Sequence, residues 1–94
     1  MKKIEPFETD LVGKWFTHGN SINADDVCKR IEWLTLNILK EVARDPSGWD
    51  ILYQDPNDCR YWELIYPNSE MNGGGPPTLG HISKTKVQKK YRIN

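Results

Sequence analysis

Gly48-Trp49-Asp50-Ile51-Leu52-Tyr53-Gln54-Asp55-Pro56-Asn57-Asp58-Cys59-Arg60-Tyr61-Trp62-Glu63-Leu64-Ile65-Tyr66-Pro67 is the stretch that decides the fold. Trp49, Ile51 and Tyr53 alternate with Asp50, Leu52 and Gln54. A period of two sends successive side chains to opposite faces of a strand. Asp55-Pro56-Asn57-Asp58 is turn chemistry, because Pro presets φ and Asx side chains bond their own backbone. The alternation resumes after Arg60, with Tyr61, Glu63 and Ile65 on one face and Trp62, Leu64 and Tyr66 on the other. Pro67 ends it, since proline cannot donate to a ladder. The segment therefore reads as a β-hairpin.

The flanks supply the rest of an α+β domain. Leu11 to Phe16 reads as a first strand, and His18-Gly19-Asn20-Ser21 as a turn. Asn23 is the expected N-cap of a long helix, with Asp25 and Asp26 in its first turn and Ile22 and Val27 at staple spacing. Val27, Ile31, Leu34, Ile38 and Val42 form one apolar stripe of that helix, and Trp33, Leu36 and Leu39 lie beside it. Arg44 suits the helix end, and Pro46 and Gly48 stop it. Beyond the hairpin, Asn68 to Pro77 is an irregular loop holding Gly73-Gly74-Gly75-Pro76-Pro77. Thr78 to Ser83 reads as one more strand. Ser83 caps a closing helix from Lys84 to Tyr91 whose apolar residues are Val87 and Tyr91. The order β-α-β-β-β-α predicts a small antiparallel sheet of about four strands, the long helix across one face and a short C-terminal helix. One domain spans 1–94, with 1–7 and 92–94 as loosely ordered ends. Burial of the helix stripe is expected, with Trp15, Trp49 and Trp62 in or beside the same core.

Composition narrows the class. Ninety-four residues leave room for one core. Four Trp, four Tyr and two Phe compensate for an apolar content of 37% and argue for a packed fold. No apolar run approaches the length of a membrane span, and no apolar stretch follows the basic start Met1-Lys2-Lys3. Two cysteines make no disulfide framework. The expectation is a cytoplasmic protein with free thiols.

The chain carries 13 bases and 13 acids, but they are segregated. Residues 45–83 hold Asp45, Asp50, Asp55, Asp58, Glu63 and Glu70 against Arg60 alone. Residues 84–94 hold Lys84, Lys86, Lys89, Lys90 and Arg92 with no acid. A basic tail suits nucleic acid. The solvated end of a last helix accounts for it better, and the acidic middle repels phosphate.

Chemistry finds little support. His18 and His81 stand in no metal or triad spacing, and Cys28 and Cys59 in no ligand pattern. A Cys59–His81 nucleophilic pair competes with the ordinary role of free Cys as a small buried hydrophobe. Gly73-Gly74-Gly75 lacks the Lys-Ser/Thr and helix that a phosphate loop requires. It reads as a shaped loop, structural or the rim of a binding surface. No catalytic residue, metal or cofactor is assigned. The acids gathered round the hairpin, with Tyr53 and Tyr61 beside them, have the composition of an interface for a basic partner.

Leu11-Val12-Gly13-Lys14-Trp15, Arg30-Ile31, Gly48-Trp49-Asp50, Leu52-Tyr53, Asp55-Pro56, Arg60-Tyr61-Trp62-Glu63-Leu64, Tyr66-Pro67, Ser69-Glu70 and Gly73-Gly74-Gly75-Pro76-Pro77 resemble the bacterial immunity protein 27 family. The resemblance spans about residues 8–91. Cys59 departs from it, standing where a turn favours glycine. The resemblance implies a cytosolic antidote with no enzymatic activity, encoded beside a polymorphic or contact-dependent toxin. Its partner would be one copy of the cognate toxin, the C-terminal domain of a large secreted protein, such as a nuclease and within that class an RNase. It would neutralise that domain by occluding its active site or substrate surface. The toxin-binding residues expected on this reading are Asp50, Tyr53, Asp55, Asp58, Tyr61, Glu63 and Glu70. No membrane and no direct nucleic-acid partner is expected. The alternative is a small nucleic-acid-associated module using the basic C-terminal tail and exposed aromatics.

Overall fold

The hairpin forms as its alternation requires. In a computed structural model that describes residues 1–93, β5 (Ile51–Gln54) and β6 (Tyr61–Ile65) pair antiparallel, with Ile51 opposite Leu64 and Gln54 opposite Tyr61. Around this pair stand β1 (Asp10–Val12), β4 (Lys40–Arg44) and β7 (Thr78–Ile82). The sheet has five antiparallel strands in the order β1-β7-β6-β5-β4, one more than the sequence predicts. A separate two-stranded hairpin joins β2 (Trp15–His18) to β3 (Ser21–Ala24). Helix α1 covers Asp26–Asn37, and α2 covers Lys84–Tyr91.

Three sequence expectations change. The first strand is interrupted, because Gly13 lies against the core. A Cβ there would sit 2.6 Å from the Cys28 Sγ and from the Pro77 carbonyl oxygen. Residues 10–12 therefore join the main sheet and 15–18 join the small hairpin. Next, the cap of α1 is Asp25, not Asn23. Its side chain accepts from the Cys28 amide at 2.9 Å, while Asn23 is committed to β3 and its ladder with Phe16. Ile22, the supposed staple, is exposed on that strand. Finally, α1 is shorter than predicted. The Ile38 and Leu39 amides both donate to the Leu34 carbonyl, and the chain leaves the helix for β4. Val42 thus sits on a strand, 39% exposed at a register shift. Of the predicted stripe, Ile31 and Leu34 are buried and Val27 and Ile38 half-buried.

The sheet is covered on both faces. Leu52 and Tyr53 are adjacent and both buried, so they face opposite ways. Tyr53, Trp62, Leu64, Leu79 and Leu11 pack with Ile31 and Leu34 of α1. Leu52 and Ile82 pack with Val87 and Tyr91 of α2, the two residues predicted for that contact. Ser83 caps α2 as expected, accepting from the Lys86 amide. Trp62 is fully buried. Trp15 is half-buried, and Trp49 is 54% exposed, outside the core it was expected to join.

The chain's start is fastened. Arg30 donates to the Lys2 and Lys3 carbonyls and to both Glu8 oxygens. Arg60 donates to the Glu5 and Glu8 carbonyls. Ile4 packs on the larger cluster. At the other end Arg92 adopts a left-handed cap, φ 55°, donating to Gln88. Asn94, the last residue of the 92–94 end, lies outside the described residues.

Candidate functional site

The hairpin acids separate into distinct roles once the register is set. Asp55 is 1% exposed. Its Oδ1 accepts from the Asn57 amide at 2.9 Å, its carbonyl accepts from Cys59, and its amide donates to Arg60. It shapes the turn from inside. Cys59 closes that turn at φ 64°, the left-handed region where a side chain is uncommon. Asp58 at the tip accepts from the Arg60 backbone at 2.9 Å and pairs with its guanidinium at 2.7 Å. Partial burial pushes the Asp58 carboxyl up, but its bonds to Arg60 outweigh this and hold it below the ordinary range. Arg60 also lies 5.0 Å over the Trp62 ring.

Two of the acids meet across the α2 face. Lys90 Nζ lies 2.7 Å from Asp50 Oδ2 and 2.6 Å from Glu63 Oε2. Tyr91 Oη donates to the same Glu63 oxygen at 2.7 Å. Burial alone would lower the Lys90 pKa, yet the paired carboxylates raise it. Burial, then the negative Glu63, push the Tyr91 phenol upward, so it stays a donor. The acidic middle and basic tail, separate in sequence, are joined here. Two carboxylates share one ammonium, so the cluster keeps an excess negative charge. Glu70 is exposed on the loop and has no ion pair among the described residues. Tyr53 is in the core, 8% exposed, and Tyr61 is half-buried against the α2 cluster. Asp50 and Glu63 are thus brought together. Asp58 lies at the far end of the hairpin, and Tyr53 and Asp55 are inside the fold.

The glycine loop builds a second feature. Gly73, Gly74 and Gly75 all have positive φ, 84°, 88° and 74°. Gly73 lies against the Trp15 ring and Gly74 against Trp49, while a Cβ on Gly75 would sit 2.6 Å from the Asn68 carbonyl oxygen. Only glycine fits this path without strain. Between the loop, α1 and the β2–β3 hairpin is a cleft of about 350 Å³, walled by Trp15, Ile31, Leu64, Tyr66, Gly75 and Glu32. Trp49 meets Tyr66 edge-on, ring centres 5.8 Å apart, beside it. The sequence signalled this only through the glycine run, because Trp15 and Trp49 read equally well as core.

Chemical candidates sit in structural places. Cys28 Sγ lies 3.5 Å from the Lys14 carbonyl, and burial pushes its thiol pKa up. His81 packs edge-on against Trp62, ring centres 5.9 Å apart. Among the described residues no three His, Cys, Asp or Glu side chains gather to hold a metal, and no helix is long and apolar enough to cross a membrane.

The family model described as Immunity protein 27 matches residues 17–83, more than two-thirds of the chain. The match runs from within β2 past the end of β7, leaving β1 and α2 outside it. No curated protein and no solved structure matches.

Proposed function

The chain belongs to the immunity protein 27 family, and from that premise we propose that it neutralises a cognate toxin by covering the surface with which the toxin holds its substrate. An immunity protein implies a toxin partner. In this reading the toxin is a nuclease, within that class an RNase of a contact-dependent system, bound one-to-one in the cytoplasm. The protein has no chemistry of its own. The observation that carries the reading is the carboxylate excess: Asp50 and Glu63 share only Lys90, and Glu70 has no ion pair among the described residues. A nuclease must hold phosphates and so presents a basic cleft. Carboxylates can take the same Lys and Arg in short charge-assisted bonds. Opposite charge also speeds encounter, which serves an antidote that must act before its toxin does.

Within this reading Asp50, Glu63 and Glu70 are the charged contacts, with Asp58 and Tyr61 toward the rim. Tyr53 and Asp55 act from inside, by fixing the hairpin's shape. The test is titration of the toxin domain encoded beside this chain with Glu70→Lys and Asp58→Lys. Glu70→Lys should leave stability within about 0.5 kcal/mol, whereas Asp58→Lys also loses the two bonds to Arg60 and should cost up to about 1 kcal/mol while the protein stays folded. A contact buried in the complex should lose about 2–5 kcal/mol of binding, and association of the parent should slow as salt rises. Both variants binding like the parent, with no salt effect, would refute the acidic surface.

One observation favours a second reading. Lys89 and Arg92 line another cleft of about 350 Å³ at the end of α2, together with Arg44, which is paired with Glu41, and Lys90, which Asp50 and Glu63 share. Steeply salt-dependent RNA binding by the isolated protein would support a nucleic-acid module instead.

A further inference from the structure

We propose that the cleft beneath the glycine loop is the anchor point for the partner, taking one apolar side chain with a lysine or arginine beside it. The inference deepens the toxin reading and rests on it. Its ground is the unusual company kept by the exposed aromatics. Trp49 is 54% exposed although it contacts Tyr66, a wall of the cleft. Trp15, half-buried, separates this cleft from a second hollow that holds Met71, itself 44% exposed. Trp and Tyr are enriched among the side chains that carry most binding energy at interfaces, and Met is enriched at interfaces generally. The three glycines keep the loop close against both tryptophan rings, so this surface is formed before any partner arrives.

Charge selects the occupant. Glu32 is the single charged residue lining the cleft. It is exposed and has no ion pair among the described residues. A purely apolar visitor would cover that carboxylate and leave it unpaired, which is costly. A visitor with a cation next to its apolar group satisfies it. The same pairing of an apolar anchor with a base is what a basic toxin surface offers, and Glu32 supplies the carboxylate on this face, the Asp50–Glu63–Lys90 cluster lying on the opposite, α2 face of the sheet.

The probe is N-acetyl-phenylalanyl-lysine amide, titrated into isotope-labelled protein and followed by amide and indole resonances. Saturable shifts should centre on the Trp15 and Trp49 indoles and on the amides of Glu32, Tyr66 and the glycine loop. The lysine peptide should bind about fivefold or more tighter than the matching glutamate peptide, and Glu32→Lys should reverse that order. Thr35→Trp, which fills the cleft from α1, should abolish the shifts. Ala24→Trp, which fills it from the exposed end of β3, should do the same and guards against misfolding of the first variant. Shifts that survive both fillings, or the absence of saturable shifts, would overturn the proposal. So would self-association of the parent, seen by sedimentation and lost in Thr35→Trp, because a second copy would then be the occupant. The titration needs no toxin. Its failure removes the cleft and leaves the toxin reading standing, whereas failure of the unmodified protein to protect cells from the adjacent toxin removes that reading itself.

Discussion

Glu8→Gln tests how the start of the chain is held. Arg30 Nη1 and Nη2 reach the two Glu8 oxygens at 2.8 and 2.7 Å, a two-pronged pair. The side chains are 17% and 16% exposed, so solvent screens them only partly. The Arg30 bond holds the Glu8 carboxyl at about 2, against an ordinary 4.5, with burial opposing the shift. The folded protein thus keeps this carboxylate charged down to about pH 2, while the unfolded chain protonates it near 4.5. Its stabilisation is complete above that unfolded value and is lost as pH falls toward 2. Each pH unit between the two titrations is worth about 1.4 kcal/mol, which sets a ceiling of about 3.5 kcal/mol. Hydrogen bonds to charged groups contribute about 1.5–3 kcal/mol. Glu8→Gln should therefore cost about 1.5–3 kcal/mol near neutral pH, measured by urea unfolding followed by circular dichroism. Repeated at about pH 3, the gap between parent and variant should shrink, because Glu8 of the unfolded parent then binds a proton, while the other carboxylates are shared by both proteins and cancel. A gap of equal size at both pH values would refute a charge-based fastening, and a gap below about 0.5 kcal/mol at neutral pH would show that the Glu8–Arg30 pair adds little to stability.

Two further outcomes follow from the packing. Leu34→Ala, at a fully buried position, should cost about 2.7–5 kcal/mol, whereas Leu36→Ala, 74% exposed on the same helix, should change the melting temperature little; equal effects would mean the helix is rotated from its described face. Gly75→Ala should lower the melting temperature, since its new Cβ would meet the Asn68 carbonyl at a backbone with φ 74°; an unchanged melting temperature would show that the loop path is not fixed there.

The sequence was most legible where one period ran unbroken between strong stops. The central hairpin, its turn, and α2 with its Ser83 cap and Val87–Tyr91 contact follow from local pattern alone. The end of α1 was not legible, because Ile38 and Val42 continue the helical spacing by coincidence across Leu39, which turns into the core. β-branched residues serve strands as readily as helices. The choice between Asn23 and Asp25 as cap depended on whether residues 21–24 had a strand partner, and that partner, β2, became separate only because Gly13 packs against Cys28 and Pro77. The same limit applies to the acids. Their number and sign could be read, but their division between Lys90, Arg60 and the turn interior required residues 40 positions apart to meet. Trp49 shows the converse: an aromatic in a strand-like run reads as core until the glycine loop is seen beside it.

The position of β7 has a consequence for how the protein comes into being. β7 lies between β1 and β6, so β1 has no neighbour in the sheet until residues 78–82 exist. Arg60 reaches back to carbonyls more than 50 residues earlier. A nascent chain lacking its last strand can form the β2–β3 hairpin, α1 and the meander β4-β5-β6, but it cannot close the sheet. Pairings this distant in sequence slow folding, and an incomplete sheet exposes an unpaired edge on β6. The sheet therefore closes not when translation starts but only after residues 78–82 have been made. An immunity protein built this way can meet a toxin only after that strand is in place.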